Sequence, residues 1–299
     1  MTAEPALLLQ SLHVYPVKAL HAVNVHAARV EPWGLAGDRR WLIVEADDGK
    51  FITQRTDPAL ARVAASYPEF AETGPSARAA PLPPGTLAVS AQGQPPLLVP
   101  PPAESRGAEM LWVTVWRSKV TAAAAGPEAD AWFSRYLGRP VRLVHLDDPT
   151  RRQVDPDFGQ PDDRVSFADG YPLLVTSVSS LDALCDWLVD AGDEPVPMNR
   201  FRPGAVVVGA PPWDEDAWRR IRIGPVAFRV AKPCGRCVVT TTDQDTGERG
   251  RQPLAMLGRR RRFGQELVFG QNLIPEGPIP DSAGVIVAGD RVEVIERAG

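Results

Sequence analysis

Along the first half of the chain, apolar positions come in short blocks interrupted by Gly, Pro and Asp. Leu8–Val14 is one such block, closed by Tyr15-Pro16, and Val23-Asn24-Val25-His26 alternates with the period of a half-buried strand. Arg40–Ala46 and Lys50–Gln54 flank Asp47-Asp48-Gly49, and Asp-Gly between two such runs predicts a hairpin. Thr86–Ser90 with Pro95–Val99, around Gln92-Gly93, predicts a second hairpin, and Leu111–Trp116 with Lys119–Ala122 a third. Asp57-Pro58 predicts an N-cap and first-turn proline for a short helix through Ala65. The middle of the chain is mixed. Pro127–Leu137 predicts a helix stopped by Gly138, and Val141–Leu146 a strand. Asp147–Gly170, rich in Asp, Pro and Arg, is a long excursion, and such loops are uncommon unless they serve a function or move. Val178–Leu188 predicts a helix whose Leu181, Leu184, Cys185 and Leu188 form one buried stripe, which makes Cys185 a core residue. After Leu173–Thr176, the remaining strands predicted are Ala205–Val208, Ile221–Ile223, Ala227–Val230, Val238–Thr242, Val285–Ala288 and Val292–Ile295, with a short helix over Leu254–Arg262. The pattern is α+β and β-rich, with few and short helices.

Composition narrows the class. Hydrophobic residues at 44% and charged residues at 23% lie near the globular averages of ~45–50% and ~25%, which excludes a chain disordered overall. The formal net charge of −4 argues against wholesale binding to nucleic acid or an anionic membrane surface. No apolar run approaches the ~20 residues that span a bilayer, and Met-Thr-Ala-Glu-Pro offers no basic region ahead of an apolar stretch. Cys185, Cys234 and Cys237 are an odd, small set that does not describe a disulfide framework. The expected compartment is a reducing cytoplasm.

Candidate chemistry concentrates in Pro233-Cys234-Gly235-Arg236-Cys237. A zinc knuckle needs a second ligand pair, and a redox pair of the thioredoxin kind wants a strand-to-helix context. Two inert thiols in a connection, or one thiolate bound to a soft metal, are the other readings; the flanking Lys232 and Arg236 favour a thiolate. Lys18, Arg39 and Arg202 lie at strand ends beside Gly and Pro. Taken singly they read as solvated charges; together they suit the phosphate of an anionic cofactor. Asp214-Glu215-Asp216 reads as a solvated turn ahead of a general acid–base cluster. Arg259-Arg260-Arg261-Arg262 reads as a solvated helix end or, more sharply, as a docking patch for an acidic electron donor.

Tyr15-Pro16-Val17-Lys18, Gly37-Asp38-Arg39-Arg40-Trp41 and Gly49–Arg55 together resemble the N-terminal β-barrel domain of MOSC proteins. Arg200–Pro203, Trp213–Trp218, Cys234–Cys237, Thr241–Gly247, Phe269–Asn272 and Val287–Asp290 follow in the order of a MOSC domain. The resemblance covers nearly the whole chain and is similar to that of the amidoxime-reducing and N-hydroxylated-base-reducing members. It implies a MOSC N-terminal β-barrel domain over residues 5–147, a MOSC β-barrel domain over 148–299, and a molybdenum-pterin cofactor (molybdopterin). Carried over by position, Cys237 is the molybdenum ligand and Lys18, Arg39 and Arg202 hold the pterin phosphate or its neighbourhood. Thr176, Ser177, Gly235 and Arg236 are further cofactor contacts. Ala19 stands where relatives often carry serine, and Gly204 where they often carry asparagine. The implied activity is reduction of a small N-hydroxylated substrate by oxygen transfer to molybdenum; the alternative is a non-catalytic cofactor-binding or sulfur-carrying protein with Cys237 as thiol or persulfide acceptor. No four-cysteine set for an iron–sulfur centre and no Gly-x-Gly-x-x-Gly after a strand is present. A separate flavin, iron–sulfur or haem donor is therefore the implied partner.

Overall fold

The computed structural model describes residues 6–70, 82–277 and 284–299. Its largest sheet has nine strands. The main path runs Val292–Arg297, Trp218–Ile223, Val226–Gly235, Glu266–Pro275, Leu173–Ser177, Ala205–Val208, Leu8–Val14 and Val23–Val25, and Arg262–Phe263 pairs onto the side of it. All neighbours on that path are antiparallel except Leu173–Ser177 and Ala205–Val208. That parallel pair is joined by the helix Val178–Asp190, as a parallel connection requires. A second, four-stranded antiparallel sheet comprises Trp41–Glu45, Val141–His145, Ser118–Ala124 and Met110–Val115.

The alternating patterns explain the packing. Leu9 and Leu12 of the first strand, Val207, Ile221 and Phe228 turn into one core under the large sheet. Trp41, Ile43 and Leu143 form another with Trp132 and Phe133 of the helix Pro127–Leu137, which Gly138 ends in a left-handed conformation. The fold is the β-rich α+β arrangement read from the sequence, with short helices at its edges.

Leu8–Val14 pairs with Ala205–Val208, so the segments 5–147 and 148–299 share one sheet. The two halves are in continuous contact, and the cavity described below opens along their junction.

Several elements differ from the sequence pattern. Val238–Thr241 is a 3₁₀ turn and not a strand, although its Val and Thr residues favour strand. Pro58–Arg62 is a 3₁₀ turn, and Asp57 makes no capping bond because Arg139 takes its carboxylate, at 2.6 and 2.9 Å. Glu266–Pro275 is a ten-residue strand between two others, unannounced by any clean alternation. The acidic turn is not solvated: Glu215 is fully buried, while Asp216 pairs with Arg261 and Asp214 with Arg297. Cys185 packs beside the Leu184–Leu188 core and its thiol faces the Val196 carbonyl at 3.5 Å.

Candidate functional site

Three stretches from the first half of the chain and three from the second meet around one cavity. Lys18-Ala19, Arg39 and Thr53–Arg55 line it together with Ala168–Tyr171, Arg200–Arg202 and Cys234–Cys237. Six basic side chains line it, from Lys18, Arg39, Arg55, Arg200, Arg202 and Arg236, against one carboxylate, Asp169.

Lys18 follows the first strand and is buried. Its ammonium donates to the Phe167 carbonyl at 2.9 Å and to Asp169 at 2.5 Å. Burial lowers its pKa to about 8, with Asp169 opposing the fall, so it is largely charged at neutral pH. The Asp169 side chain is 67% exposed, and Lys18, Arg55 and the Trp116 indole N–H hold its carboxyl well below the usual range. The loop that presents Asp169 is wrapped around Arg152, which donates to the carbonyls of Ser166, Ala168 and Asp169.

Arg39 and Arg202 converge on Tyr15. Each guanidinium carbon lies 4.4 Å from the Tyr15 ring centroid. Arg39 is also paired with the buried Asp38 at 2.5 Å. Arg202 donates to Gln244 at 2.9 Å and to the Leu20 carbonyl at 2.7 Å, but has no ion-pair partner among the described residues. Burial draws its pKa down to about 10, leaving a charged guanidinium short of counter-charge. Both arginines sit in the left-handed backbone region, at φ 48° and 53°, which non-glycine residues seldom occupy.

The thiols lie on the opposite chain segment. The strand Val226–Gly235 delivers Cys234 and Gly235, and Arg236 N–H bonds the Leu267 carbonyl at 2.7 Å as the strand gives out. Cys237 then starts the 3₁₀ turn, which is why the Val-Val-Thr-Thr run bends instead of extending. An Arg55 N–H donates to Cys237 Sγ at 3.1 Å, and an Arg236 N–H to Cys234 Sγ at 2.8 Å. Arg55 lies over the Trp116 ring at 4.4 Å, and the Trp116 indole donates to Asp169 at 3.2 Å. Gly235 is closely approached: a Cβ there would stand 3.1 Å from the Glu266 carboxyl carbon, so a side chain would need Glu266 to shift.

The structure thus brings Lys18, Arg39, Arg202, Gly235, Arg236 and Cys237 onto one cavity. Thr176 and Ser177 do not line it. Both are fully buried, with the Thr176 hydroxyl directed at Met198 Sδ at 3.3 Å and the Ser177 hydroxyl at Ser179 at 2.9 Å. The end of the long excursion, Ala168–Tyr171, occupies the wall instead. Arg55, Asp169 and Arg200 were not singled out from the sequence. Arg55 closes the Gly49–Arg55 string and Asp169-Gly170 ends the excursion, and those were the available signals. Of the four-arginine run, Arg261 is buried on Asp216 and over Trp213, whereas Arg259, Arg260 and Arg262 are exposed.

The donor set suits a molybdenum-pterin group. Guanidinium and ammonium groups match a phosphate, a cysteine sulfur matches a soft metal, and the buried Nε atoms of Arg200 and Arg236 have no partner among the described residues.

Comparison with known proteins gives the same direction. Residues 6–140 match the MOSC N-terminal beta barrel domain and residues 162–293 the MOSC domain. The chain is 29% identical to human mitochondrial amidoxime-reducing component 1, over 95% of this chain and 82% of that protein. It is 30% identical to the mouse counterpart, over 95% and 81%. It is also 27% identical to a rice molybdenum cofactor sulfurase, over 88% of this chain but only 32% of that longer protein.

Proposed function

The chain belongs to the MOSC family, which is associated with the molybdenum cofactor, and from that premise we propose that it is a reductase of N-hydroxylated compounds. The observation that carries this reading is a thiol, Cys237, and a set of buried and half-buried cations opening onto one cavity. The cofactor bound there would supply two electrons, which with two protons convert an N–OH group to N–H and water.

The protein's own residues bind and orient. Lys18, Arg39 and Arg202 hold the phosphate, each charge-assisted contact worth roughly 1.5–3 kcal/mol. Cys237 offers its sulfur to the metal, and the Arg55 N–H orients that sulfur. Arg236 ties the Cys234 thiol to the Phe201 carbonyl and so fixes the wall beside Cys237. Tyr171 and Asn272 also line the cavity and are polar groups a small substrate could meet.

Electrons reach this site from a separate flavin, iron–sulfur or haem protein, and the exposed Arg259, Arg260 and Arg262 are the surface assigned to it. The compartment is a reducing one, in keeping with three free thiols. Among the described residues no helix is long and apolar enough to cross a membrane. A second reading, a sulfur carrier using Cys237, draws support from the sulfurase relative and from the second thiol, Cys234, on the same wall.

The test uses protein from a host that makes the cofactor. About one molybdenum per chain is expected. Benzamidoxime or hydroxylaminopurine should be turned over with reduced viologen and not with NADH alone. Metal-loaded protein without turnover leaves a non-catalytic cofactor binder; absence of molybdenum overturns the reductase reading.

A further inference from the structure

We infer that Tyr15 is a positioning residue that sets two arginines for one phosphate monoester. The inference rests on the reading of the cavity as a phosphate-holding site.

Two like charges seldom share so small a volume, because their repulsion grows as water is excluded. Here both guanidinium carbons lie 4.4 Å from the centroid of the same ring. The negative face of an aromatic ring attracts each cation and offsets their mutual repulsion. The rest of Tyr15 is already committed: its hydroxyl donates to the Pro203 carbonyl at 3.1 Å and its backbone N–H to Asp38 at 2.8 Å. It is 2% exposed and does not line the cavity, so what it offers the site is its ring.

The backbone points the same way. Arg39 and Arg202 hold left-handed conformations that glycine would adopt more easily. Such strain persists where the surrounding structure over-determines it and the side-chain direction is used. Asp38 fixes Arg39 from below, Gln244 and the Leu20 carbonyl fix Arg202, and Tyr15 is the contact the two share. A phosphate monoester has three terminal oxygens to meet two planar forks and the Lys18 ammonium.

The experiment titrates inorganic phosphate into cofactor-free protein by calorimetry, with Lys18→Met marking the site. Tyr15→Phe is expected to bind within twofold of wild type, since the ring is kept. Tyr15→Leu is expected to weaken phosphate at least tenfold. Because Tyr15→Leu removes a core ring, a fold-preserving series accompanies it: phenylalanine at position 15 carrying one, two and then three fluorines, which drains the ring face at nearly constant shape. Affinity should fall stepwise along that series. Equal affinity across the series, a Tyr15→Phe as weak as Tyr15→Leu, or no phosphate binding by wild type would each overturn the inference. Molybdenum content of the wild type tests the functional reading separately, so a stepwise series in a protein without metal would leave this inference standing.

Discussion

Lys18, Arg39 and Arg202 are each held by two or more protein groups, whereas Cys234 and Cys237, which line the same cavity, each take one guanidinium donor. The cations are rooted in buried backbone beside strand ends. The thiols ride on the last residues of a strand and the first of a 3₁₀ turn, half-exposed. The cost of gathering like charges is met by Asp38, Asp169, several carbonyls and an aromatic ring. No comparable investment surrounds the sulfurs. The cation side is thus preorganised, and preorganisation is what converts contacts into affinity. On the proposed function, the sulfur side would gain its order from the metal.

Cys237→Ser tests that contrast most severely. Bound molybdenum should fall by well over tenfold, while Cys234→Ser keeps most of it; metal analysis of the two purified variants decides. Equal retention in both would erase the distinction between the thiols.

A buried acid remote from both walls offers a calibration. Glu215 accepts from the Ser180 hydroxyl at 2.8 Å, yet burial raises its pKa to about 7. Below about pH 4.5 it is protonated folded and unfolded alike. As pH climbs from there toward 7, the unfolded chain loses the proton first, so the fold loses stability. Glu215→Gln should therefore gain on wild type by up to roughly 3 kcal/mol across that interval, read by urea unfolding at a series of pH values. An equal difference at every pH would mean that its carboxyl is not held protonated. Asp169, held in the opposite direction by its cations, should show no such gain.

Arg202→Ala should weaken cofactor retention by about ten- to a hundredfold, the equivalent of one charge-assisted contact. Arg55→Gln should cost less, about three- to tenfold, because its sulfur contact is more exposed. If Arg55→Gln proves the more damaging in the same retention assay, the sulfur side is the organised one and the contrast is inverted. The smallest effect belongs to Arg259→Ser and Arg260→Ser: stability within about 0.5 kcal/mol of wild type, as for solvated charges. Arg261→Ala should cost more, since it removes the ion-pair partner of Asp216, leaving it to the Gln271 amide, and uncovers Trp213.

The fold was legible wherever alternation and turn chemistry agreed. Asp47-Asp48-Gly49 does turn the chain between Glu45 and Lys50, and Pro127–Leu137 is a helix to the residue. Val238–Thr241 misled because β-branching speaks for strand, while the chain must bend there to present Cys237. Asp214–Asp216 misled because charge speaks for solvent, and the partners that admit Glu215 and Asp216 to the interior, Ser180 and Arg261, are remote in sequence. In the site, the motif residues Lys18, Arg39, Arg202, Gly235, Arg236 and Cys237 do converge on one cavity, as their strings suggested. Thr176 and Ser177 do not, since facing inward from a buried strand or outward into a cavity is settled by packing. Arg55 gains its place only through Trp116 and Cys237, contacts that no local spacing encodes.

The pairing of Leu8–Val14 with Ala205–Val208 has a consequence for how the protein is made. Leu9 meets Val207, nearly two hundred residues later, so although Leu8–Val14 can pair at once with Val23–Val25, its other side waits for a partner made much later. At ~5–20 residues per second its apolar face waits roughly 10–40 s. Pairings of such long sequence separation are slow to form even in a finished chain. Biogenesis of this protein is therefore a problem of custody as much as of chemistry: a nascent edge strand must be sheltered until the sheet that receives it exists.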